Sequence, residues 1–167
     1  GNKIIKDKPN YKIIYITGER FMLDFINSIQ KNKTADFSKR YRDIDMLLLD
    51  DAQFFKNKEQ TQEQFFHLFN FLYQNGKQII LTSDNHPNKM LGFKERLISR
   101  FQSGLVIDIQ PPDLETRIAI LMNKAEHDQL EIPYEVVEFM ASNIQGDIRT
   151  LEGALVNLLA LSSLKKE

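Results

Sequence analysis

The stretch MLLLDDAQ, residues 46–53, decides how the rest of the chain is read. Four apolar residues in succession, closed off by charge, are too few for a buried helix. They suit a central strand of a parallel sheet covered on both faces. Asp50 and Asp51 then stand at the C-terminal end of that strand, the edge at which open parallel sheets bind their ligands. Taken alone, the two acids fit a helix cap or a turn equally well, so the flanking chain has to decide.

Upstream, the β-rich run YKIIYIT (residues 11–17) follows Pro9-Asn10 and reads as a strand. Gly18 and Glu19 open a helix in which Phe21, Met22, Phe25, Ile26 and Ile29 recur at helical spacing, a stripe expected to face the core. A second helix is expected from Thr34, as N-cap, to Arg42, locally basic through Lys33, Lys39, Arg40 and Arg42. Downstream, AQFFKNKEQ reads as a loop. Thr61 and Gln64 have the spacing of a capping box, opening a helix with a wide face of Phe65, Phe66, Leu68, Phe69, Leu72 and Tyr73 that Asn75-Gly76 ends. KQIILTS (residues 77–83) is a third strand, closing in Thr82, Ser83 and Asp84 at the same sheet edge as Asp50. His86-Pro87 makes a turn, and His86 is read as a solvated loop residue. Residues 93–101 form a helix with Arg96 and Arg100 one turn apart on one face, and residues 105–109 read as a fourth strand.

At Gln110-Pro111-Pro112 the pattern turns wholly helical. Asp113 caps one helix, Pro133 opens a second, and Gly146-Asp147 starts a third. The fold expected is thus α/β, a parallel sheet flanked by helices over residues 1–110, followed by a three-helix subdomain over residues 111–167.

Composition narrows the function classes. The chain has 167 residues, 42% of them hydrophobic, enough for one cored domain with a small satellite. A net charge of −1 makes no global case for nucleic-acid binding, so any such contact must be a local patch. The absence of cysteine excludes disulfides and thiolate metal sites and suits a reducing compartment. No apolar run approaches the ~18 residues of a membrane span, and the first residues have no signal-peptide core. A cytoplasmic protein without a transmembrane segment is expected.

An apolar strand ending in Asp-Asp resembles the Walker B element of P-loop ATPases. The ordered series ITGERFMLDFINSIQ, YRDIDMLLLDDAQFF, NKEQTQEQFFHLFNFLY, QIILTSD, ERLISRFQSGL, IQPPDLETRIAIL and IRTLEGAL, spanning nearly the whole chain, is similar to the ATPase domain of the bacterial chromosomal replication initiator family, DnaA. The resemblance implies an AAA+ nucleotide-binding core with a helical lid, working as an ATP-dependent oligomer that opens the replication origin. By it, Asp50 is the acid on Mg2+, Asp51 acts on the attacking water, and Asp84 is sensor 1 near the γ-phosphate. Arg100 is the arginine finger reaching a neighbour's ATP, Arg96 its companion, and Arg149 the sensor 2 of the lid. Ile26, Lys58, Gln60 and Thr61 match positions that grip single-stranded DNA. Gln60 replaces an arginine frequent there, which removes one ionic contact. Read without the resemblance, Lys58 is a solvated lysine, Thr61 a helix cap and the arginine pair a surface ion-pair set.

The resemblance also implies ATP or ADP with Mg2+ as cofactors of the intact protein. Its partners would be origin DNA, further copies of itself, the replicative helicase machinery and acidic lipids. Duplex DNA would be read by a C-terminal helix-turn-helix domain. One departure stands out: the phosphate-cradling loop GxxxxGK[ST] does not occur in the sequence. The chain is therefore expected to be a truncated piece of the ATPase domain, without its first strand and loop, binding no nucleotide and turning none over alone. The gap left by that strand is expected to favour association between chains. Other readings left open are an AAA+ helicase loader or initiator regulator, and an interaction module without a P-loop.

Overall fold

The structure is a computed structural model that describes residue 6 and residues 8–165. The chain divides into two compact units, Gly1–Asp108 and Ile109–Glu167. In the first, β1 (Ile13–Thr17), β2 (Met46–Asp50) and β3 (Gln78–Leu81) form a parallel sheet in that order. Helices α1 (Gly18–Gln30) and α2 (Thr34–Arg42) join β1 to β2, and α3 (Glu59–Gln74) joins β2 to β3, as parallel pairing requires of its crossovers. Register aligns Thr17 with Asp50 and Leu49 with Leu81, so all three strands end at one edge. β2, central as its apolar run predicts, buries Met46, Leu47 and Leu49.

The core is aromatic. Phe21, Phe37, Tyr41, Phe55 and Phe65 pack edge to face or tilted with ring centroids 4.7–5.6 Å apart, joining α1, α2, α3 and the turn after β2. Burial and the neighbouring Asp24, which accepts the Tyr41 hydroxyl at 3.1 Å, push the Tyr41 phenol up from its ordinary value. Asp24 also pairs with Arg20 at 3.0 Å and Arg40 at 3.5 Å, tying α1 to α2.

Several expectations are corrected. Thr34 is the first residue of α2 and Lys33 occupies the cap position, without a side-chain cap bond. The chain leaves α1 through Asn32, whose φ is 52°, and the Lys33 amide already bonds Ser28, so the boundary falls one residue early. Thr61 forms no capping box. Residues 52–55 make a 3-10 turn, the Lys58 amide donates to Phe55, and α3 therefore starts at Glu59 with Thr61 turned inward and 4% exposed. The α1 stripe is core only at one end, since Phe21 is buried while Ile26 and Ile29 are exposed. Residues 105–109 form no strand. Among the described residues no strand stands beside them to supply a ladder, and Leu105 and Ile107 are 88% and 72% exposed.

Helix α4 (Glu95–Gln102) closes the first unit. The second unit holds α5 (Leu114–His127), α6 (Tyr134–Asn143) and α7 (Ile148–Lys165) around Leu121, Val137, Met140, Leu151 and Leu155. Asp113 and Asp147 accept the amides of Thr116 and Thr150 at 2.8 Å as N-caps of α5 and α7. The Thr116 hydroxyl and then its amide hold the Asp113 carboxyl below the usual range, and the Thr150 amide and then its hydroxyl do the same for Asp147. Arg117 of α5 caps the opposite kind of end, donating to the carbonyls of Ala141 and Ile144 where α6 runs out.

Candidate functional site

Three of the acids singled out by the sequence meet at the C-terminal edge of the sheet. β2 delivers Asp50, whose carboxylate accepts the Tyr15 hydroxyl at 2.7 Å on one oxygen and the Thr82 hydroxyl on the other. Thr82 extends β3, its amide donating to Leu49 and its carbonyl accepting from Ala52. Its hydroxyl oxygen in turn accepts the Asp51 amide at 3.1 Å. One threonine thus fixes the first acid by its hydrogen and the second by its oxygen. Gln53 completes the cluster, donating from Nε2 to Asp51 at 2.9 Å and to Asp84 at 2.8 Å. The Gln53 amide nitrogen gives one hydrogen to each carboxylate, which offsets part of the repulsion between the two acids.

Backbone geometry holds Asp51 in place. Its φ of 59° and ψ of 53° are left-handed, a conformation that aspartate tolerates better than most residues. Gly18, at the start of α1, lies so near that a Cβ there would come within 2.6 Å of the Asp51 carbonyl oxygen. The glycine is required for close approach between α1 and the turn bearing Asp51.

Oxygen donors of this kind suit Mg2+, which is held by one or two carboxylates and otherwise by phosphates and water. Among the described residues there is no group of three or more His, Cys, Asp or Glu that would cage a metal alone. The hydrogen bond to Asp50, and after it the negative charge of that carboxylate, raise the Tyr15 phenol above its ordinary value.

Sequence reasoning missed Gln53 and Tyr15. Gln53 stood inside the deciding stretch, three residues after Asp50, but a polar side chain in a turn announces no partner. Tyr15 lay in a strand whose neighbour was unknown, and only the register of β1 on β2 brings its hydroxyl to Asp50.

Arg96 and Arg100 make their contacts on α3 instead. Arg96 pairs with Glu63 at 3.1 Å, and the guanidinium carbons of Arg96 and Arg100 lie 4.7 Å and 6.0 Å from the centroid of the Phe66 ring. Glu63 also accepts from Lys94 at 3.1 Å, and these bonds, Lys94 first, hold its carboxyl below the usual range. Beneath them, Gln62 is 1% exposed and spans two segments: it donates to the carbonyls of Phe55 at 2.7 Å and Gly92 at 2.8 Å and accepts the Lys94 amide at 2.8 Å. The turn after β2 and the approach to α4 are thereby pinned to one side chain.

Of the remaining residues, Ile26 is exposed on α1, Lys58 and Gln60 are exposed at the start of α3, and Thr61 is buried beside them. Arg149 is exposed in the first turn of α7, in the second unit.

The sequence profile described as the bacterial DnaA ATPase domain matches residues 1–108. The chromosomal replication initiator protein DnaA of Levilactobacillus brevis is 54% identical over 164 residues, covering 98% of this chain and 36% of the relative. The crystal structure of domain III of the Thermotoga maritima replication initiation protein DnaA superposes with a TM-score of 0.95 at 39% identity, over 100% of this chain and 70% of that one. A replication initiator DnaA bound to AMPPCP and single-stranded DNA superposes with a TM-score of 0.86 at 38% identity, over 99% of this chain and 51% of that one. The chain thus spans about a third of the length of the curated relative. With that profile matching residues 1–108, more than half of its length, the chain belongs to the bacterial DnaA ATPase-domain family.

Proposed function

We propose that this chain is the larger part of the ATP-driven engine of a chromosomal replication initiator, which assembles on the origin and holds single-stranded DNA to open the duplex. The observation that carries the reading is the linked cluster of Asp50, Thr82, Asp51, Gln53 and Asp84 at the sheet edge. Magnesium, when bound with nucleotide, would neutralise phosphate charge. Asp50 is the residue to hold it, with Tyr15 and Thr82 fixing the carboxylate. Asp51 orients the attacking water, and Asp84, tethered through Gln53, reports the γ-phosphate.

Phosphoryl transfer is promoted chiefly by positioning and by cations on the transferred group. Arg100, with Arg96 beside it, supplies that charge to the nucleotide of a neighbouring copy, and Arg149 supplies it from the lid. Arg149 stands where a cation opposes the helix dipole, an arrangement that stability alone does not favour. Ile26, Lys58, Gln60 and Thr61 hold the strand of DNA, Lys58 through a phosphate and Thr61 through the amides of the first turn. The DNA-bound and AMPPCP-bound initiator of like fold supports both halves of this reading.

Asp50→Asn in a full-length initiator carrying this segment is the test. ATP turnover should fall by about a hundredfold or more, as loss of a charged group in a positioned site does, and unchanged turnover would refute the assignment. The isolated chain, lacking GxxxxGK[ST] in its sequence, should show no binding in a titration with labelled ATP. Micromolar binding there would contradict the reading.

A further inference from the structure

We infer that Phe66 and Glu63, both half-buried on α3 and Phe66 also packed against the core, are positioning residues for the arginine pair of α4, forming a rest on which Arg96 and Arg100 are held for use by a neighbouring copy. The inference rests on the proposed role of Arg100. Both guanidinium groups lie over the same ring, at 4.7 Å and 6.0 Å from its centroid, within the range at which a cation is drawn to an aromatic face. Glu63 adds a 3.1 Å ion pair to Arg96 and another 3.1 Å contact to Lys94, at the head of α4.

The division of labour follows from these contacts. Arg96 is engaged twice, by charge and by ring, and is thereby fixed. Arg100 has the longer ring contact and no ion pair within 4.0 Å among the described residues, so its charge is held in direction yet not neutralised. An arginine meant for a phosphate on another subunit needs that combination, since a firm carboxylate partner would have to be broken at each assembly. α3 is also a suitable carrier. Its start carries the exposed Lys58, as cap residue, and Gln60, and Gln62 joins it to both the acid-bearing turn and the approach to α4. A ring on this helix keeps the pair in fixed relation to the acids of its own subunit.

The test uses a full-length initiator carrying this segment, assembled on single-stranded DNA. Phe66→Leu should lower kcat for ATP by about two- to fivefold, the change in held population that one exposed cation–π contact produces. KM should be unchanged, because the variant subunit's own nucleotide site is intact. Phe66→Tyr, which keeps the aromatic face, should retain the wild-type rate.

Mixing then separates roles. Phe66→Leu subunits in excess Asp50→Asn subunits, themselves inactive but with the rest intact, should recover the wild-type rate per competent site, since each receives a well-held arginine from a neighbour. Failure to recover overturns the inference, as does loss of rate in Phe66→Tyr. Arg100→Ala is taken through the same mixture. If it is not rescued, the role of Arg100 in a neighbour's site falls; if it is rescued while Phe66→Leu is not, only the rest on α3 falls. Should Phe66→Leu melt below the assay temperature, Glu63→Gln, at a surface position, undergoes the same mixing with the same criteria.

Discussion

Gln62 shows how much one side chain decides. It is buried at 1% exposure, and its amide group satisfies the Phe55 carbonyl in the turn just before the helix as well as the Gly92 carbonyl and the Lys94 amide, 30 and 32 residues further along the chain. Gln62→Leu fills the volume but strands those groups, and should destabilise the first unit by about 2 to 4 kcal/mol in a denaturant titration. Faster hydrogen exchange at the Lys94 amide should accompany it. At this scale the sequence was partly legible. Asp50, Asp51 and Asp84 could be placed at one edge because strand ends are readable from apolar runs, and the structure brings them together. Gln53, Tyr15 and Gln62 could not be assigned partners, since each bond depends on strand register or on a turn that residue types do not fix. Thr61 was misjudged for the same reason. A threonine before a helical run signals a cap only if the helix starts after it, and here the 3-10 turn starts the helix two residues before it.

Among the elements, α3 carries the most. Its N-terminal end presents Lys58 and Gln60 to solvent, and each phosphate neutralised on a single strand adds about 0.7 to the slope of log affinity against log salt. Lys58→Ala should therefore flatten that slope by about 0.7, and Gln60→Arg should steepen it by a like amount, as measured by anisotropy of a labelled oligonucleotide. The helices of the second unit answer to acid. Asp113 and Asp147 have depressed folded pKa values because they accept amide and hydroxyl bonds at helix starts. Their contribution is complete above the ordinary aspartate value near pH ~4 and is lost as pH falls through the depressed folded values. Asp113→Ala with Asp147→Ala should remove that part of the acid sensitivity, seen as a flatter dependence of melting temperature on pH at the acidic end. These caps were readable from Pro-Asp and Gly-Asp at the boundaries. The supposed fourth strand, residues 105–109, was not, because an apolar run tells what a segment would do beside a sheet and not whether the sheet is there.

For the molecule as a whole, two cores hold two units, one aromatic around β2 and the other aliphatic around Leu121 and Leu155. Among the described residues β1 and β3 are the borders of the sheet, and Ile80 of β3 is 43% exposed while Leu105 and Ile107 are open to solvent. Unprotected borders of this kind recruit other strands. The chain should self-associate with rising concentration in sedimentation velocity runs, and Ile80→Lys should suppress it. Strand direction gives this border a memory of what fills it. A strand continuing the pattern of β1, β2 and β3 would lie parallel to them, whereas the edge strands of two copies closing on each other about a twofold axis would run antiparallel. The polarity of the seam, visible in cross-strand amide contacts, therefore distinguishes a sheet that has been extended from one that has been sealed against its own twin.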